Sequence, residues 1–446
     1  MQHSLKALTV LVLATMAATS AMAQADATTA KRVQDLIRKA DKYAQSGVIE
    51  FVHAETIYGE ALVLAPDHAE LNFKMGLCQL NGPYRHQALP YFEKARELGA
   101  EPQRIHFLTG YAYQLNARWE EAVAAYEKHR LAYNPQPGDD PLYGLANKRI
   151  AECRNGQRFA GRSAQVMIEN LGEAINSMQA DYGVLPHADG ATILFTSRRP
   201  GPTAKVNKAT REYYEDIHIS RLVDGRWSDA FALAPPINGP GNDASVGIDV
   251  EGRTLLIYRD DKGHGDILQS LWDGNAWQAP LALGLHINTK HHESSAWITT
   301  DRQWIYFVSD RPDDNVGGQD IYRSRWDETT SDWGMAENLG PDVNSMYDED
   351  GVFVTPDGGT IYFSSKGHDS MGGYDIFRST LVDGRWTKAE NLGWPINSPD
   401  DDLFFVLSAD GTTGWFSSVR AGGLGEDDIY RVSFATEHED TATPAR

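Results

Sequence analysis

The sequence predicts a multidomain α + β protein: an N-terminal α-helical solenoid followed by an all-β five-bladed β-propeller, closed by an N-terminal outer strand. Three recurrences carry that prediction. One phrase appears five times, as LGEAINS from Leu171, LAPPING from Leu233, LGLHINT from Leu283, LGPDVNS from Leu339 and LGWPINS from Leu392. A second opens at Asp216 (DIHIS), Asp266 (DILQS), Asp320 (DIYRS), Asp375 (DIFRS) and Asp428 (DIYRV), at spacings of 50, 54, 55 and 53 residues. Ahead of both, small and aromatic residues recur every 34 positions. Periods of this size mark stacked supersecondary units, each burying its face against a neighbour.

In chain order, residues 1–23 read as a secretory signal peptide. Lys6 lies in a charged start, an apolar run spans Ala7 to Ala18, and Ala21-Met22-Ala23 precedes Gln24. The run is too short for a bilayer. No cysteine follows the cleavage point to take a lipid anchor. The mature protein is therefore expected in a Gram-negative periplasm, any outer-membrane association being made through partners.

Residues 29–154 read as three helical repeats and a capping helix. Ala54, Tyr58, Ala61 and Pro66 return as Ala88, Phe92, Ala95 and Ala100, then as Ala122, Tyr126 and His129, while Gly76 returns as Gly110. Small residues let paired helices approach and aromatics fill the space between them, which is the tetratricopeptide arrangement. On that register Phe73, Leu77, Leu80, Phe107 and Tyr111 fall on concave faces, as a groove for a peptide or helix or as packing between repeats. Only Lys39 sits where a carboxylate clamp would need a base. The last helix is expected around Leu142 to Arg154, with a linker at 155–162. The two cysteines, Cys78 and Cys153, could form a disulfide in an oxidising compartment or remain two buried thiols.

Residues 163–434 read as the propeller. After LGPDVNS come GVFVT, the turn Pro356-Asp357-Gly358, TIYFSS, a Gly-rich loop, DIFRSTLV, the turn Asp383-Gly384 and RWTKAENLG. Alternating apolar residues bounded by Asp-Gly indicate tight hairpins. Five sets of strands one to three are present, but the last lacks a fourth strand, whereas SAQVMIENLG at Ser163 is a fourth strand with no set before it. Joining the two closes the ring and removes its edges. Trp227, Trp277, Trp333 and Trp386 then hold equivalent outer positions. Residues 435–446 are expected to be a disordered polar tail.

With 41 basic and 62 acidic residues the formal net charge is −21. A surface that acidic repels phosphate backbones and excludes a nucleic-acid partner. Five residues after each repeated Asn stands an acid: Asp181, Asp243, Glu293, Glu349 and Asp402. In a ring these carboxylates circle the channel mouth, near Arg198 or Arg199, Lys262, Arg311, Lys366 and Arg420 at the ends of the second strands. They could receive a charged ligand or brace the blades as repeated salt bridges. The Asp opening each DI phrase is read as a turn-bracing carboxylate. One loop breaks the symmetry: Arg198 to Glu215 adds Lys205, Lys208, Arg211, Tyr213 and Tyr214, and departures from a repeat are where function concentrates. The histidines, His291 and His292 in the loop before blade three and His264 and His368 in Gly-rich loops, form no metal-ligand pattern, and no metal or other cofactor is expected. No nucleophile elbow, zincin helix or phosphate loop is present.

The phrases FSSKGHDSMGGYDIFRS, PDGGTIYFSS and ENLGWPINSPDDD resemble the WD-like repeats of TolB-type periplasmic propellers. Combined with tetratricopeptides, they resemble Bacteroidetes envelope proteins that add an OmpA-like peptidoglycan-binding domain, one group of which serves type IX secretion. No such domain follows Phe434, so direct peptidoglycan anchoring is not expected. The resemblance implies a non-catalytic scaffold with envelope or secretion-system proteins as partners and brings no catalytic residues. Two other readings stay open: a propeller binding glycans or muropeptides, and a glycoside hydrolase, which needs two carboxylates in unlike environments.

Overall fold

The computed structural model describes residues 27–46, 50–100, 104–133, 141–162, 164–201, 205–208, 210–260 and 264–434. The expected signal peptide and tail lie outside them. The chain packs as two compact units, one ending at Thr109 and the other starting at Gly110.

The first unit holds α1 (27–44), α2 (Phe51–Leu64), α3 (Ala69–Asn81), a 3-10 turn (Arg85–Ala88), α4 (Leu89–Glu97) and the start of α5 (Ile105–Leu115). Val33, Ile37, Tyr58, Leu71 and Met75 form its core. The recurring glycine has a steric cause. A Cβ on Gly76 would stand 2.8 Å from the ring of Phe92, so α3 and α4 reach their separation only without one. His68 caps α3 by accepting from the Leu71 amide.

The second unit opens with the end of α5, α6 (Trp119–Tyr133) and α7 (Pro141–Ala160). Gly110 meets Tyr126 as Gly76 meets Phe92, and Gly156 of α7 lies against Trp119. The expected linker at 155–162 is therefore largely helix: α7 continues to Ala160 because these residues have packing partners. They dock on the loop of residues 366–374. Asn155 donates to the Ser370 carbonyl at 3.0 Å, Gln114 to that of Met371 at 3.3 Å, and Arg158 pairs with Asp369 at 2.6 Å. Glu152, 2% exposed, gathers Lys148, Arg149 at 3.0 Å and Gln114 at 3.0 Å beneath this contact. A buried carboxylate persists only with such partners.

β1 (Val166–Asn170) follows, and then the ring. Blade one is β2 (Asp181–Pro186), β3 (Thr192–Ser197), β4 (Asp216–Val223), β5 (Arg226–Trp227) and β6 (Phe231–Ala232). Blade two is β7 (Asn242–Ile248), β8 (Thr254–Asp260), β9 (Asp266–Leu271) and β10 (Leu281–Ala282). Blade three comprises β11 (Glu293–Ile298), β12 (Trp304–Ser309), β13 (Asp320–Asp327), β14 (Asp332–Trp333) and β15 (Glu337–Asn338). Blade four comprises β16 (Glu349–Val354), β17 (Thr360–Ser365), β18 (Asp375–Val382), β19 (Arg385–Trp386) and β20 (Glu390–Asn391). Blade five is β21 (Asp402–Leu407), β22 (Thr413–Ser418) and β23 (Asp428–Phe434), completed by β1 in register from Val166 opposite Phe434 to Asn170 opposite Tyr430. Five blades closed by an N-terminal strand is the expected architecture.

The outermost strand differs from expectation in blades one, three and four, where it is two short pieces. The chain between them is held by a serine: Ser220 donates to the Ser228 carbonyl at 2.6 Å, and Ser324 to that of Gly334 at 2.6 Å. A hydroxyl thus replaces ladder bonds where the strand bends away. The turns Asp224-Gly225 and Asp383-Gly384 have both φ values positive, at 50° and 77°, then 51° and 78°, as a two-residue hairpin turn of the I′ type needs.

Candidate functional site

The repeated Asn is a two-point clamp. Asn344 accepts from the Ile321 amide at 2.8 Å and donates to the Ile321 carbonyl at 3.0 Å. Asn238 does the same to Ile217, Asn288 to Ile267, Asn397 to Ile376, and Asn176 to Ile429 across the closure of the ring. In each blade the first phrase therefore grips the isoleucine of the DI phrase. Recurrence of both phrases was the sequence signal for this contact, but nothing in the spacing showed that one gripped the other.

The five ring acids sit one turn further on, and all are fully buried. Each accepts the amide two residues beyond the Ile or Val of its turn: Ser177 to Asp181 at 2.6 Å, Gly239 to Asp243 at 2.5 Å, Thr289 to Glu293 at 2.9 Å, Ser345 to Glu349 at 3.0 Å and Ser398 to Asp402 at 2.5 Å. Four also meet a guanidinium: Arg199 reaches Asp181 at 2.7 Å, Arg259 Asp243 at 2.5 Å, Arg311 Glu293 at 3.3 Å, and Arg420 Asp402 at 2.6 Å. Of the two readings of the ring, a receptor for a charged ligand at the channel mouth is corrected, because carboxylates that cap turns and bind arginine inside the wall present nothing to solvent, as salt bridges that brace the blades would do. Burial still raises the Asp181 and Asp402 carboxyls, opposed by Arg199 and Arg420. In blade two the base is Arg259, while Lys262 lies outside the described residues. Arg198 turns instead to Glu212 at 2.7 Å and Glu215 at 2.5 Å.

Blade four is the exception. Lys366 pairs with Asp348 at 2.9 Å rather than with Glu349, and Gly367 stands where the sequence of blade three has Arg311. His368 takes over one arginine role, contacting the Val343 carbonyl at 2.8 Å as Arg311 contacts that of Ile287 at 2.6 Å. Glu349 is left with hydrogen bonds from Ser345 and Ser365, each 2.6 Å, and burial pushes its carboxyl up to about 7.

At the ring axis the first strands of all five blades leave a cavity of only about 10 Å³. Trp297 packs against three blade cores and lies edge-on to Phe353, with ring centres 4.7 Å apart. Near it Tyr182 stacks on Phe404 at 5.4 Å and donates to Glu215 at 2.5 Å, and Ser294 donates to Asp350 at 2.9 Å. Burial raises the Asp350 carboxyl.

The blade-one loop forms a hairpin bridged at Val206 and Tyr213. Lys205, Lys208 and Arg211 are exposed and make no ion pair among the described residues. Lys205, Tyr213, Tyr214 and Asp216 line a small cavity of about 60 Å³, bounded also by Arg199 and residues 239–241. Asp216 differs from three of its equivalents. Asp320, Asp375 and Asp428 each accept from an Asn, namely Asn338, Asn391 and Asn170, but blade one has Ala232 at that place. Burial and neighbouring Asp243 raise its carboxyl.

Of the residues expected in the helical groove, Leu80 and Phe107 are buried, Leu77 is half-buried and Phe73 packs on Phe92 at 5.9 Å. Tyr111, in the second unit, carries Arg149 over its ring at 4.7 Å. Cys78 and Cys153 are separate buried thiols, each pushed up to about 12 by burial. The loop histidines disperse: His292 contacts the Gly265 amide, His264 and His291 approach different aspartates, and His368 is committed to Val343. Among the described residues no group of three or more acids, histidines or cysteines could hold a metal, and no helix is long and apolar enough to cross a membrane.

No protein-family model and no curated protein matches the chain. Among solved structures it is similar to TolB from Acinetobacter baumannii, at 15% identity and a TM-score of 0.35 over 58% of this chain and 56% of that one. A putative TolB from Agrobacterium tumefaciens is similar at 16% identity and 0.33, over 61% and 98%. An α-L-arabinofuranosidase from Podospora anserina is similar at 12% identity and 0.37, over 60% and 93%. The chain spans little more than half of the Acinetobacter protein.

Proposed function

We propose that the protein is a non-catalytic periplasmic adaptor of the cell envelope or a secretion assembly, with one protein partner in a tetratricopeptide groove and another on the loop face of the propeller. The observation that carries this reading is the blade-one hairpin. On an acidic chain, it sets out Lys205, Lys208 and Arg211 without counter-ions among the described residues, next to Tyr213 and Tyr214. Unpaired cations beside aromatics suit an acidic protein surface. The repeated carboxylates, by contrast, are fully buried in turn caps and, in four blades, ion pairs, so none is placed to meet the glycosidic bond of a glycan in the channel.

The test is crosslinking in intact cells, followed by mass spectrometry, with the wild type and a Lys205→Glu, Lys208→Glu, Arg211→Glu variant. Reproducible recovery of envelope proteins by the wild type, lost in the folded variant, is expected. Recovery that is equal in both would remove the hairpin from the reading, and recovery of none would remove the adaptor.

A further inference from the structure

We propose that a cleft between blades two and three binds a neutral saccharide. The cleft has a volume of about 370 Å³ and lies where β7 and β11 turn into β8 and β12, the end of the blades opposite the ring carboxylates. Small-molecule sites begin at roughly this size. Its chemistry comes from two features of these blades.

The first is Gln269. Three other blades close the corresponding strand position with an ion pair across to the outer strand: Arg323 with Glu337 at 3.1 Å, Arg378 with Glu390 at 3.0 Å, and Arg431 with Glu169 at 2.6 Å. Blade two places Gln269 opposite Leu281, which cannot answer it. The Gln269 amide makes no hydrogen bond among the described residues, and neither does the Gln303 amide on the facing wall, although both are half-buried. The second is Trp326. Blades one and four pair a leucine with the outer tryptophan, Leu222 with Trp227 and Leu381 with Trp386, whereas Trp326 pairs with Trp333, edge to face at 5.1 Å, as Trp272 pairs with Trp277 in blade two.

The charged neighbours are already engaged. Arg302 is held by Asp249, and Asp301 by Thr299 and the Gln303 amide nitrogen of the main chain. What remains is two primary amides, the exposed Glu328 carboxylate and indole surface. A primary amide offers both donor and acceptor to neighbouring hydroxyls, and an indole covers the C–H face of a pyranose. Asp249, Asp301 and Glu328 outweigh Arg302, so an anionic ligand is disfavoured. The site needs no protein partner, so it stands apart from the adaptor reading.

The test titrates the mature protein with chitotriose, laminaritriose and maltotriose, followed by saturation-transfer NMR and calorimetry. One of the three should bind saturably. The double variant Gln269→Ala, Gln303→Ala should weaken it by at least about tenfold, and Trp326→Leu, which restores the residue of blades one and four, should do the same while keeping the hairpin. Absence of saturable binding by all three up to about 10 mM, or binding that survives the double variant in folded protein, would overturn the proposal.

Discussion

His368 holds the carbonyl of Val343 as Arg311 holds that of Ile287, yet it makes no bond to Glu349, so blade four keeps a buried carboxylate without a cation. The same blade carries the loop on which α7 docks, with Ser370 and Met371 turned toward the helices. The blade that departs from the arginine tie is the one whose loop serves as a docking surface.

That carboxylate should make stability depend on pH. Its folded pKa of about 7 lies above the ordinary value of 4.5, so between the two the folded protein keeps a proton that the unfolded chain has released. Stability then falls as pH rises through that window and levels off above it. At roughly 1.4 kcal/mol per unit, Glu349→Gln should be more stable than the wild type by about 3 kcal/mol at pH 8 and nearly equal to it at pH 4. Urea unfolding of both proteins at the two pH values checks this. A difference that does not change with pH would mean that Glu349 titrates alike in the folded and unfolded chain.

The four arginine ties predict an asymmetric cost. Arg311→Met strands fully buried Glu293 and should destabilise the ring by about 3–5 kcal/mol, whereas adding Glu293→Gln should recover a large part of it. Thermal midpoints of the single and double variants decide. Equal midpoints would mean that the guanidinium matters only by its packing.

Asn176 and Asn288 make the same clamp, but Asn176 grips Ile429 from 253 positions away and Asn288 grips Ile267 from 21. Each alanine variant strands the buried isoleucine amide, while the carbonyl keeps a backbone donor, Leu171 for Ile429 and Leu283 for Ile267, so the cost is about 1–3 kcal/mol. Hydrogen exchange should distinguish them. Asn176→Ala should speed exchange at residues 166–170 and 428–434, Asn288→Ala only within blades two and three. Identical exchange maps would refute a separate role at the closure.

Gly156→Val should push α7 away from Trp119, because a Cβ there would stand 2.6 Å from the indole. Overpacking of this kind costs about 1–3 kcal/mol. Faster exchange is expected at residues 366–374, where α7 docks, with blade two unchanged. Unaltered exchange in that loop would show that α6 and α7 reach the ring independently.

Blade number, strand order and closure were legible because each rests on local patterns: alternation, Asp-Gly turns and a leftover strand at either end. The candidate sites were less so. Arg259 lies inside β8, where the pattern treats it as one more strand residue, so the count of loop bases fell on Lys262. The acids stayed between a ligand ring and repeated salt bridges because a repeated spacing does not tell a carboxylate that faces water from one that caps a turn. Docking of α7 was invisible, since Asn155, Gly156 and Arg158 have the composition of a linker and owe their helix to tertiary packing. Gln269 was printed in the repeat all along, but its meaning required knowing that arginine at its equivalents faces glutamate across the sheet.

The pairing of β1 with β23 sets an order of events. Glu169 and Arg431, bonded across that ladder, stand 262 positions apart, so a chain made from its N-terminus holds β1 without a partner until the last strand has emerged. Bringing such distant segments together delays the reward for ordering them. The helices can settle early, but blade five cannot exist in part, and the ring should snap shut late and in a single step. A chain cut short before Asp428 would lose more than its final strand: β1 would be left an open edge, free to pair with the wrong molecule.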